Sequence, residues 1–93
     1  MTSYASVDRI EGVFAVCEVE LIPFEESKPE DFKTKDTAMM DVPLREFSAI
    51  FGDVNQGDVW IVKHDNENVN LVYYKDEEEM ARRIEVLSQI SRR

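Results

Sequence analysis

Two pairs of short β-branched runs, each pair joined by a few residues of turn chemistry, constrain this chain more than any other feature. Tyr4 to Ile10 and Val13 to Leu21 are rich in β-branched and apolar side chains, with Glu11 and Gly12 between them where a tight turn fits. Val59 to Lys63 and Val69 to Tyr74 repeat the arrangement around the polar run Asp65, Asn66, Glu67 and Asn68. Each pair predicts an antiparallel hairpin. In the first, Ala15, Cys17, Val19 and Leu21 take one face and Glu18 and Glu20 the other, the period of two expected where one face is wet. Phe14 and Val16 break that polarity, so the start of the strand is expected to be covered on both faces, as in a sheet that curls or carries a helix across it. Gly12 suits a turn position of positive φ, and Arg9 and Glu11 share a face on which they can pair.

Between the hairpins, residues 22–36 hold Pro23, Pro29, three Lys and five acids without a sustained period, and they predict a flexible acidic surface loop that Phe24 and Phe32 can pin. A short strand is expected over 37–42. Pro43 can open a short helix at its first position, where the missing N–H costs nothing; Leu44, Phe47 and Ile50 or Phe51 form its inner side, and Gly52 ends it. Trp60 with Val62, and Tyr73 with Leu71, are expected to face the core, leaving Tyr74 as the exposed aromatic. Asp76 can cap a last helix in capping-box form with Glu79, its inner stripe Met80, Ile84 and Leu87, with Glu77 to Glu79 at the positive and Arg92 and Arg93 at the negative end of the dipole. The expectation is one domain over residues 1–93, mainly β (α+β): a small five-stranded antiparallel, barrel-like sheet with a short helix after strand 3 and a C-terminal helix. Pattern alone leaves open whether the topology is OB-like.

The 93 residues can bury one core without staples, and with a single cysteine no internal disulfide or thiolate zinc cluster can form. A net charge of −9 repels phosphate backbones, which disfavours nucleic acid, and it favours a basic partner surface, a cation or no partner at all. The first residues lack the basic and apolar regions of a secretory signal and no apolar run approaches a membrane span, so no membrane association and a cytoplasmic location are expected. Cys17 and His64 are the sole candidates for thiol or imidazole chemistry; Cys17 falls in the inward phase of its strand, and His64 ends a strand as a partly exposed structural histidine. The Asp65–Asn68 run lacks the glycine and terminal glutamate of an EF-hand loop, and the three glycines lie too far apart for a phosphate loop. No catalytic residue, metal ligand or cofactor is assigned.

Val7-Asp8-Arg9-Ile10-Glu11-Gly12 followed by Ala15-Val16, then Asp41-Val42-Pro43, then Gly57-Asp58-Val59, then a charged helix containing Arg82-Arg83, resembles a bacterial family catalogued as domain of unknown function 3006. The resemblance implies a small bacterial domain that stands alone or is appended to larger proteins, including metallo-β-lactamase-like hydrolases, and it carries over no catalytic residue. The longer, proline-containing connection at 22–36 departs from the family pattern.

The leading functional expectation is a non-catalytic protein-binding or accessory module, with Asp8, Arg9, Glu11, Tyr74, Arg82 and Arg83 as candidate partner-binding residues. The two arginines stand out as positive charge on the last helix of an acidic chain, although pairing of Glu79 with Arg83 accounts for them structurally. An enzyme would need acids such as Asp8, Glu11 or Asp41 converging at a barrel mouth. Single-strand nucleic-acid binding would need Trp60 or Tyr74 exposed for stacking.

Overall fold

The computed structural model describes residues 1–28, 36–51 and 54–91, with side chains described at all of these except 48–51, 87 and 89–91. Strands β1 (Thr2–Glu11), β2 (Phe14–Glu20), β3 (Thr37–Pro43), β4 (Val59–His64) and β5 (Val69–Lys75) form one antiparallel sheet in the order β3-β2-β1-β4-β5. Helix α1 (Leu44–Phe51) follows β3, and α2 (Glu77–Ser91) follows β5. A helix after the third strand, with this strand order, is the connectivity of OB-type barrels. Here β3 and β5 approach to within 8 Å between Cα atoms, but no ladder joins them among the described residues, so the expected barrel is an open, curled sheet.

Both hairpins form as the turn chemistry predicts. Gly12 turns the first with φ at 58°. In the second, the Asp65 carboxylate accepts the backbone N–H groups of Glu67 and Asn68 at 2.8 and 2.7 Å. Those two donors hold the Asp65 carboxyl below its ordinary range.

The sheet buries both faces unequally. The inner face carries the main core: Ala5, Val7, Ala15, Cys17, Val19, Met40, Val42, Trp60, Val62 and Val72, closed by Phe47 of α1. Phe47 and Trp60 meet edge to face at 5.0 Å, and α1 lies against both β3 and β5, covering the seam where a closed barrel would have its last ladder. Pro43 serves as the last rung of β3, opposite Phe14, and α1 begins one residue later than expected. The expected helix end at Gly52 lies outside the described residues.

On the outer face a second cluster gathers Tyr4, Val59 and Ile61 under Met80 and Phe24. Phe24 belongs to a 3-10 turn, Phe24–Glu26, and packs on Tyr4 at 5.8 Å, so the start of the expected loop is ordered structure; Phe32 lies outside the described residues. Helix α2 reaches this face by polar contacts more than by an apolar stripe. Asp76 caps it, with Glu79 N–H donating to Asp76 Oδ1 at 2.9 Å, but the return half of the capping box is not made: Asp76 N–H bonds Val59 instead, and the Glu79 carboxylate pairs with Arg82 and Arg83. Of the expected inner stripe, Met80 packs on this cluster while Ile84 is 64% exposed, and the Leu87 side chain lies outside those described.

Three further expectations are corrected. Leu71 and Tyr73 are exposed, since β5 carries two register shifts against β4 that leave Tyr73 and Asn70 as extra residues and bring Val69, Val72 and Lys75 to the inner face. Phe14, expected to be covered, is 41% exposed on the outer face, while Val16 is buried as expected. His64 is buried rather than partly exposed.

Candidate functional site

Residues opposite one another on neighbouring antiparallel strands share a face, so the ladders define what the outer surface presents. Its rows run Glu11–Phe14–Pro43, then Arg9–Val16–Asp41, then Ser6–Glu18–Met39. Over β1 and β4 this face is occupied. The Arg83 guanidinium donates to Ser6 Oγ at 2.9 Å and Glu20 Oε2 at 2.6 Å and lies 5.0 Å from the Tyr4 ring centroid. Arg83 Nε also pairs with Glu79 Oε1 at 3.1 Å, Arg82 binds the other Glu79 oxygen at 3.0 Å, and Ser27 Oγ donates to Glu20 at 2.5 Å. Glu20 and Glu79 are both buried, and each is neutralised within this network. Burial, then the nearby Glu79 and Asp76 carboxylates, push the Tyr4 hydroxyl up to about 12.

Over β2 and β3 the same face is partly exposed, with Val16 buried in its middle row. Phe14 and Met39 are 41% and 52% exposed, and Glu18 and Asp41 are exposed between and beside them. At the hairpin end the surface dips into a cleft of about 490 Å³ lined by Gly12, Val13, Phe14, Pro43, Leu44 and Arg45. Leu44 N–H donating to the Val13 carbonyl at 2.8 Å holds its two walls together. Val13 stands 70% exposed at its rim. An apolar cleft with exposed apolar side chains at its rim, edged by carboxylates, is the physical signature of a place where another molecule is desolvated.

The residues singled out from sequence fall in three places. Asp8, Arg9 and Glu11 form one exposed cluster beside this face, Arg9 pairing with Asp8 at 2.7 Å and Glu11 at 2.6 Å, so that its charge is spent locally. Arg83 is folded into the network under α2, and Arg82 stands over its edge. Tyr74 is half exposed at the far side of the sheet, on the wall of a cleft of about 590 Å³ completed by Lys75, Asp76, Glu77 and Glu78. Asp8, Glu11 and Asp41 line neither of these clefts, nor the one of about 200 Å³ beside Met1. Trp60 is fully buried.

Cys17 and His64 do not meet. Cys17 is opposite Val7 and His64 N–H bonds Met1, six residues away along β1, or about 20 Å of strand. Burial pushes the Cys17 thiol up to about 12, with Asp41 adding to the effect. His64 instead finds Ser3, an arrangement no sequence spacing announced: Nε2 lies 2.8 Å from Ser3 Oγ, and Nδ1 lies 2.7 Å from the Asp65 carbonyl. Ser3 Oγ donates to the Ile22 carbonyl at 2.6 Å and is fully buried, so this hydroxyl ties strand to turn and is not presented as a nucleophile. Among the described residues no group of three or more His, Cys, Asp or Glu could hold a metal ion, and no helix is long and apolar enough to cross a membrane.

Phe14 and Met39 were missed from sequence. The signal available for Met39 was its phase: it alternates with Met40 and Val42, so one large apolar side chain of the Met39–Met40 pair had to stand on the polar side of β3 beside Asp41. Comparison of the chain with family models, curated proteins and solved structures returns no match.

Proposed function

We propose that this protein is a non-catalytic protein-binding or accessory module that engages its partner through the outer face of β2 and β3 and the cleft at their hairpin end. The observation that supports this is that Phe14 and Met39 are both exposed on the outer face of β2 and β3, with an apolar cleft at the Phe14 end.

A photo-reactive phenylalanine analogue placed at Val13 tests the proposal directly in cells. The expected result is a discrete, protease-sensitive crosslinked product that is absent when the same analogue is placed at exposed Glu67, on the opposite end of the sheet. Equal products at both positions, or none at Val13, would remove the support. A nuclease-sensitive product would replace the reading with a nucleic-acid one.

A further inference from the structure

The open part of the outer face carries a spacing as well as a chemistry. From the Phe14–Pro43 row to the Glu18–Met39 row is four residues of β2, about 13 Å, and the row between them holds buried Val16 flanked by Asp41. Apolar, acidic, apolar is therefore the order met along the strands, the acidic step being Asp41, with Glu18 directly across from Met39. The neighbouring cation, Arg9, is already held by Asp8 and Glu11 and so does not cancel these carboxylates. The chain as a whole carries −9, which steers cations toward it and repels anions and a second copy of itself.

We propose that this face takes an extended, cationic segment of a partner protein, in which an apolar side chain enters the Gly12–Arg45 cleft, a Lys or Arg two residues on meets Asp41 and Glu18, and a second apolar side chain two residues further rests on Met39. An extended chain repeats every second side chain on one side at about 6.6 Å, which matches the spacing of the three rows. The inference rests on the protein-binding reading and adds the partner's chemistry to it. Affinity gained this way weakens with salt, because the charges involved are solvent-exposed.

The test uses the full chain and three synthetic seven-residue peptides: Ser-Leu-Ser-Arg-Ser-Leu-Ser, the same peptide with Glu in place of Arg, and a scrambled form of the first. Binding is followed by backbone amide chemical shifts at up to millimolar peptide. The arginine peptide should shift the amides of Phe14, Val16, Met39, Asp41 and Leu44, and should bind at least tenfold more weakly to the Glu18→Lys/Asp41→Lys variant, whose two exposed substitutions leave the core intact. It should also outbind the other two peptides at low salt and lose that advantage as salt rises. No perturbation, shifts centred on Tyr74 instead, or equal binding of the glutamate peptide would each overturn the inference. If the Val13 crosslink captures a protein whose yield is unchanged in the charge-reversed variant, the protein-binding reading stands and the cationic-segment inference fails. If Val13 captures nothing, the reading beneath it fails as well.

Discussion

Replacing Arg83 with methionine isolates what fastens α2 to the sheet. The Arg83 side chain is 17% exposed, and the carboxylates it serves, on Glu20 and Glu79, are 6% and 3% exposed, so its removal leaves two buried acids short of a partner. Breaking a buried pair from one side costs on the order of 3–5 kcal/mol. Remaining contacts argue for the lower end: Glu79 keeps Arg82, and Glu20 keeps the Ser27 hydroxyl among its partners. Methionine also preserves the hydrocarbon stem over Tyr4. The expected loss is therefore about 3 kcal/mol, which for a chain of this length lowers Tm by roughly 15 °C. The single tryptophan, Trp60, is buried in the core and reports unfolding by fluorescence in urea. Adding Glu20→Gln to Arg83→Met removes a buried charge that Arg83 had served, so the double variant should be less destabilised than the sum of the two single variants by about 1 kcal/mol or more. A loss under about 1 kcal/mol for Arg83→Met, or strict additivity in the cycle, would refute the view that this network is desolvated and coupled.

Two further outcomes follow from groups whose protonation the fold alters. Tyr4 ionises near 12 in the folded protein against an ordinary value of 10.0, so the folded state holds that proton where the unfolded chain has released it. Its contribution to stability is present below pH 10 and is lost as pH rises toward 12; Tyr4→Phe should show a shallower alkaline decline in urea midpoints, and an identical decline would count against the assignment. Cys17, buried with its thiol near 12, should resist iodoacetamide at pH 8 in buffer and react at the rate of a free thiol in denaturing urea. Rapid alkylation of the folded protein would contradict its burial.

The hairpins, the short helix and the capped terminal helix were legible because each rests on local chemistry: a period of two, Gly12 at a positive φ, Asp76 at an N-cap. The errors came where a partner distant in sequence decides the outcome. In β5 two extra residues reverse the phase twice, and nothing in Val69 to Lys75 marks where. On α2, Arg83 binds Glu20, 63 positions away, so the helix is held by a charge and its expected apolar stripe at Ile84 is left in solvent. The candidate surface shows the same division. Asp8, Arg9 and Glu11 could be found as a cluster, but that Phe14 and Met39 flank the row of Asp41 depends on the β2–β3 register.

The two rims of the open sheet differ in a way that bears on how the chain behaves when crowded. Strand β5 is interrupted twice, so a foreign strand laid along it would lose register after a rung or two. Strand β3 has seven uninterrupted rungs with β2, and Pro43, without an N–H, stands at one end as its stop. These two rims curl toward each other, and α1 lies against both, so the strand best suited to templating a foreign chain is the one whose edge is turned into the seam and away from a neighbouring molecule. Even without a last ladder closing the barrel, the domain should therefore resist propagation into fibres.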